Sequence, residues 1–135
     1  MIEYTLTMNS EQAKECLKAV ELMLRLKLNQ PEEITRAVML EDYWENNKLD
    51  KNKFDEFIKR RDEADDALKI AFSYIFPTWD DVKKDTEWYR LYNIYQVIRY
   101  AIHEAEHPQT TGLDSYPPTQ FTADEPLPGC SWTRK

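Results

Sequence analysis

The sequence predicts an α+β fold that is mainly helical, with one N-terminal strand, about four helices and a long extended C-terminal segment. Three observations carry that expectation. Apolar and polar residues alternate at the N-terminus. Four later stretches repeat apolar residues at spacings of three and four. After His107, Pro, Gly and aromatic residues crowd together.

Ile2, Tyr4, Leu6 and Met8 alternate with Glu3, Thr5 and Thr7, the two-residue period of a half-buried strand. A lone strand leaves its backbone donors and acceptors unmet. Its expected partner is either Thr119–Ala123 of the same chain or the same strand of a second subunit. Asn9 then caps the first helix, with Gln12 at the capping-box position, and Ala13, Cys16, Leu17, Val20, Met23 and Leu24 form its inward face. Gln30-Pro31-Glu32-Glu33 reads as a second helix start, with Pro at the first helical position and carboxylates at the positive end of the dipole. Ile34, Ala37, Val38 and Trp44 are expected inside, and Asn46 to Asp50 forms a loop.

The third helix carries Phe54, Phe57, Ile58, Ala64, Leu68, Ala71, Phe72 and Ile75 and stops before Pro77. Thr78 to Asp85 connects it to a fourth helix starting near Thr86. There Trp88, Leu91, Tyr95, Ile98, Ile102 and Ala105 form a seam for another helix. Residues 108–135 hold five of the seven Pro and both Gly, together with Tyr116, Phe121 and Trp132. Disordered tails are poor in aromatics, so this segment is expected to lie extended over a core of residues 1–107, the whole forming a single domain.

Composition narrows the function. Aromatic residues make up 13% of the chain, and Tyr and Trp join an apolar face to a polar handle, which suits ligand and partner surfaces. The net charge of −7 argues against long nucleic acid, whose binding depends on many Lys and Arg, but leaves room for a small anion held by a few Arg. Cys16 and Cys130 are too few for a disulfide framework. No membrane-length apolar run and no signal-peptide pattern occurs, so a cytoplasmic protein is expected.

Four constellations could carry chemistry. His103-Glu104-Ala105-Glu106-His107 matches H-E-x-x-H, which on a helix sets two imidazoles on one face for zinc, with Glu104 to activate water. Pro108 follows at once, no further His exists, and a third ligand such as Glu125 would come from the Pro-rich segment. The alternative is two His beside the negative end of a helix dipole. Tyr92, Gln96, Arg99 and His103, spaced four, three and four, form a polar ridge able to stack on a base and grip phosphate or ribose oxygens. The alternative is a solvated face with Arg99 paired to Glu106 or Asp85 of a neighbour.

Arg61 interrupts the apolar stripe of the third helix and must snorkel, pair with a carboxylate or meet an anion, and Arg60 beside it has the same options. A partner within Asp62, Glu63, Asp65 and Asp66 answers most simply. That acidic cluster lacks the paired E-E-x-x-E and E-x-x-D pattern of helical nucleotide pyrophosphohydrolases and reads as a solvated face. No nucleophile elbow occurs, and with both Gly in the tail there is no Rossmann or P-loop fingerprint.

Two segments together are similar to a family of small phage proteins. Tyr4-Thr5-Leu6-Thr7-Met8-Asn9-Ser10-Glu11-Gln12-Ala13, continuing through Leu24 to Gln30-Pro31-Glu32-Glu33-Ile34, resembles their first strand, helix and Gly-Gln-x-Glu-Glu-like turn. Leu91-Tyr92-Asn93-Ile94-Tyr95-Gln96-Val97-Ile98-Arg99-Tyr100 resembles their late helix with its Tyr-Gln-Val-Ile-Arg core, and Glu125-Pro126-Leu127-Pro128 resembles their C-terminal close. The family is the founding type of Thoeris anti-defence protein. The resemblance implies a sponge that binds cyclic ADP-ribose isomers made by bacterial TIR-domain proteins without cleaving them. Some members also hold cyclic oligonucleotides in a separate site. It further implies dimers or higher oligomers, with pockets at subunit boundaries lined by aromatic and Arg residues. Arg99 is the position carried over. Where the family places aromatic and Asn contacts before that helix, this chain offers Trp79 and Trp88 but a different loop, and Asn29 stands where the turn usually has Gly.

The expectation is therefore a non-enzymatic protein that sequesters a cyclic nucleotide signal in the host cytoplasm as a homodimer or higher homo-oligomer, without metal or cofactor. Arg99 and Arg61 would meet phosphates, Trp88 and Tyr92 would stack on the base, Gln96 would read base or ribose edges, and His103 completes the ridge. Two alternatives stand beside it: a zinc hydrolase built on His103, Glu104 and His107, and a protein-binding inhibitor that uses the aromatic C-terminal segment.

Overall fold

Asn9 opens the first helix by a reciprocal pair of hydrogen bonds. Its Oδ1 accepts the Gln12 amide at 2.9 Å, while Gln12 Oε1 accepts the Asn9 amide at 3.0 Å. This is the capping box read from the sequence. The computed structural model describes residues 4–38, 50–75, 86–121 and 125–133. In it α1 spans Ser10–Lys27. Asn29 follows with φ 59°, and the Gln30 amide reaches back to the Arg25 carbonyl at 3.0 Å. Asn tolerates this left-handed turn better than any residue but Gly, which explains why the position accepts it. Pro31 is fully buried, and residues 32–38 form α2 up to the edge of the described chain.

Asp50 caps the next helix by accepting the Lys53 amide at 3.2 Å, and α3 runs over Lys51–Ser73. The last helix, α4, spans Thr86–Glu106, and a single 3-10 turn follows at Leu113–Ser115. The chain is thus mainly helical. Among the described residues no helix is long and apolar enough to cross a membrane.

The chain divides into two compact units: Met1–Glu21 with Asp85–Lys135, and Leu22–Lys84. In the second unit Leu24 and Phe57 are buried, and Thr35 Oγ1 lies 2.5 Å from Asp65 Oδ1, tying α2 to α3. In the first unit Val97 is buried. Glu106 at the end of α4 accepts from the Ser10 hydroxyl and lies 2.9 Å from Lys14 Nζ, so the start of α1 is fastened there. The Ser10 hydrogen bond, and then Lys14, hold the Glu106 carboxyl below its usual range, and the same carboxylate raises Lys14.

Several sequence expectations are corrected. No strand forms among the described residues: residues 4–9 carry no ladder, and Tyr4 is 91% and Leu6 75% exposed. The intrachain partner fails for a physical reason. The Thr119 and Phe121 amides are already bonded to side chains of α4, so they have no donors left for a ladder. Met23, Ala37, Val38, Ala71 and Ile75, expected inside, are exposed. Ile2, Trp44, the 46–49 loop, Trp79, the 78–85 connector and Ala123 lie outside the described residues.

Candidate ligand site on the last helix

The most deeply buried residues of α4 are mainly polar: Asn93, Gln96, Arg99 and His103, with Val97 among them. The apolar seam expected to lead (Trp88, Leu91, Tyr95, Ile98, Ile102, Ala105) is half-buried. Steps of three and four residues put the polar four on one helix face. What covers that face is the extended chain after His107.

The covering segment is laced through its main chain. Gln96 Nε2 donates to the Thr119 carbonyl and Gln96 Oε1 accepts the Thr119 amide, both at 3.1 Å. Asn93 Oδ1 accepts the Phe121 amide at 3.3 Å. His103 Nε2 lies 2.9 Å from the Thr110 carbonyl, which makes that nitrogen the donor. An amide side chain can donate and accept at once, so Gln96 pairs with one residue of the segment much as a neighbouring strand would. Farther along, Arg90 Nε donates to both carboxylate oxygens of Glu125 at 2.7 Å, and this pairing holds Glu125 below the usual carboxylate range.

Arg99 is different. It is 6% exposed, yet its contacts are loose. Its Nη2 reaches the Tyr116 carbonyl at 3.4 Å, and its guanidinium stands 5.5 Å from the centre of the Tyr95 ring. Its Nε has no hydrogen-bond partner, and Asp114 Oδ1 lies 3.9 Å away, within ion-pair range but too far to bond. A buried guanidinium offers five donors, and a buried charge is costly unless paired. Burial also pushes the Tyr95 phenol up.

An aromatic group lies N-terminal to this ridge. Trp88 and Tyr92 stack at 5.2 Å between ring centres with planes 7° apart, Tyr92 meets Phe121 edge-on at 5.1 Å, and Tyr95 lies 6.2 Å from Tyr92. Trp88 Nε1 is buried without a hydrogen-bond partner. One helix thus carries two under-satisfied donors beside a row of stacked rings.

No family model, curated protein or solved structure matches the chain.

Of the expected site residues, Trp88, Tyr92, Gln96, Arg99 and His103 share α4, but they are spent differently. Gln96 and His103 hold the covering segment, Trp88 and Tyr92 stack on each other, and Arg99 keeps unused donor capacity. Of the partners foreseen for Arg99, Glu106 instead meets Ser10 and Lys14 and Asp85 lies outside the described residues, while Asp114 Oδ1 stands 3.9 Å from Arg99 Nε. Arg61 belongs to the other compact unit, where its Nη2 donates to Asp62 at 2.7 Å and its Nε lies 3.9 Å from Asp65, while Arg60 pairs with Glu56 at 2.5 Å.

For the H-E-x-x-H match, His103 has Nε2 on a carbonyl and Nδ1 3.3 Å from Glu104, whereas His107 is exposed. Among the described residues no group of three His, Cys, Asp or Glu is placed to hold a metal ion. Asn93, Asp114 and Tyr95 are site residues that sequence reasoning missed. The signal for Asn93 was available: it lies three residues before Gln96, and an extended Pro-rich segment needs side-chain amides to satisfy its backbone.

Proposed function

We propose that this chain is a binding protein that sequesters a cyclic nucleotide signal of the cyclic ADP-ribose class, with cyclic oligonucleotides as a second ligand class, and does not cleave it. The observation that carries this reading is Arg99, a buried guanidinium whose Nε lacks a hydrogen-bond partner. Phosphate oxygens match a guanidinium fork in pairs, which a single distant carboxylate oxygen does not. The stacked Trp88 and Tyr92 supply flat faces for a base, and Trp88 Nε1 supplies a donor for its edge. Sequestration requires stacking, charge pairing and burial, and no proton transfer. In this reading Gln96 and His103 hold the segment that covers the site, Arg61 takes no part, and the protein works as a homodimer or higher homo-oligomer in the host cytoplasm.

Calorimetric titration with cyclic ADP-ribose isomers tests it. Nanomolar binding, roughly −12 kcal/mol, is expected, with the ligand recovered intact after heat denaturation. Arg99→Gln is expected to weaken binding about thirtyfold or more, because it removes a buried charge partner. Absence of heat with every isomer and with cyclic oligonucleotides overturns the proposal, as does recovery of a hydrolysed product.

A second reading, a protein-binding inhibitor, is favoured by the exposed Tyr116, Phe121 and Trp132 of the C-terminal segment. It predicts that Tyr116→Ser with Trp132→Ser abolishes capture of a protein partner while the helical circular dichroism and the thermal midpoint are unchanged.

A further inference from the structure

The segment over α4 is fastened at two points and slack between them. Thr110 is one anchor: its carbonyl takes the His103 Nε2 bond at 2.9 Å, and its hydroxyl donates to the His107 carbonyl at 2.9 Å. Thr119 is the other, held by both ends of the Gln96 amide. Between them, among the described residues, the polar ties to α4 are the two loose ones from Arg99, to the Tyr116 carbonyl at 3.4 Å and to Asp114 Oδ1 at 3.9 Å.

The intervening chain is also built to move as a piece. Gly112 has φ 154°, a backbone shape that side-chain-bearing residues rarely adopt, and a Cβ there would meet nothing within 4 Å. The turn after it is closed on itself: Ser115 Oγ donates to the Gly112 carbonyl at 2.8 Å, and the Tyr116 amide bonds the Leu113 carbonyl at 3.3 Å. Pro117 and Pro118 follow and stiffen the far side. The turn packs against α4, while Leu113, Asp114 and Tyr116 are themselves mostly exposed.

From this geometry we infer that the Gly112–Tyr116 turn is a lid over Arg99 and that Asp114 is an internal stand-in for the anion the site receives. A ligand phosphate replaces the Asp114 carboxylate and the Tyr116 carbonyl at the guanidinium, and the turn swings away while Thr110 and Thr119 stay fastened. The inference rests on the anion reading of Arg99 given above and deepens it: the site is closed by its own carboxylate until a better acceptor arrives. Asp114 is 68% exposed, so its hold on Arg99 is weak, which suits a displaceable lid.

The test uses the full chain and inorganic pyrophosphate at low ionic strength, in wild type and Asp114→Asn. Calorimetry is expected to show pyrophosphate binding two- to fivefold more tightly to Asp114→Asn, since the competing carboxylate is gone. Nuclear Overhauser contacts between the Leu113–Ser115 turn and α4 are expected to be lost when pyrophosphate binds wild type, while the Ser115 and Tyr116 amides, bonded within the turn, and the Thr119 amide keep their protection from exchange. Equal or weaker binding by Asp114→Asn, or contacts between the turn and α4 that persist on binding, overturns the lid. The nucleotide reading fails separately. If cyclic ADP-ribose isomers bind neither protein while pyrophosphate still binds Asp114→Asn more tightly and frees the turn, that reading falls and the lid stands. No pyrophosphate binding by either protein overturns both.

Discussion

Replacing Gln96 with Leu removes both hydrogen bonds to Thr119 while keeping side-chain bulk on α4. A neutral hydrogen bond contributes about 0.5–1.5 kcal/mol net, so the pair is worth about 2 kcal/mol. If the segment stayed seated, the Thr119 N–H and C=O would be left facing an apolar group, at about 1–3 kcal/mol each. Thr119 is exposed, so lifting the segment brings water to both groups and limits the loss to the smaller figure. The expected effect is local. Amide exchange at Thr119 should accelerate by about thirtyfold, the equivalent of 2 kcal/mol, Phe121 should follow less strongly because Asn93 still holds it, and the α4 amides should keep their rates. Gln96→Glu provides a control of sign. When protonated, the introduced carboxyl can both donate and accept as the amide does. When ionised, it faces the Thr119 carbonyl as a second acceptor. Its folded-state pKa is therefore raised, and protection of Thr119 should be present in acid and lost as pH rises through that value. Unchanged exchange at Thr119 in Gln96→Leu would refute the lacing, and so would acceleration spread evenly over α4.

Two further outcomes follow from the same contacts. Because Arg90 holds the Glu125 carboxyl below its ordinary range, this pair contributes stability above the unfolded carboxylate value of about 4.3 and loses it as pH falls through the depressed folded value; exchange at the Arg90 Nε–H should quicken over that acid window, and Arg90→Gln should abolish the pH dependence. Asn9→Ala removes the acceptor for the Gln12 amide and should cost about 1 kcal/mol in urea unfolding.

Local chemistry was legible in the sequence and environment was not. The Asn9–Gln12 capping box, the turn before Pro31 and the helical spacing of Phe54 to Phe72 each follow from neighbours within one helical turn, and each is found where those residues place it. The alternation of Tyr4, Leu6 and Met8 met the strand period, but a strand is a property of two segments, and the segment that could have paired spends its amides on Asn93 and Gln96. The ridge of Gln96, Arg99 and His103 was visible as a spacing, and its burial was not. Polar residues at helical spacing look alike whether they face water or a covering chain, and the cover here comes from residues 110–121, distant in sequence. Asp114 could not be foreseen as the partner of Arg99 for the same reason, since the 3-10 turn at Leu113–Ser115 sets its position.

The central claim is that the loosely bonded guanidinium of Arg99 exists to hold an anionic cyclic nucleotide, and purification from cells that produce cyclic ADP-ribose isomers tests it most directly. Wild type and Arg99→Gln would be purified natively, heat-denatured, and the released small molecules identified by mass spectrometry. The account predicts one intact cyclic nucleotide from wild type and none from the variant. Equal release from both proteins, no nucleotide from wild type, or a ring-opened product would contradict it.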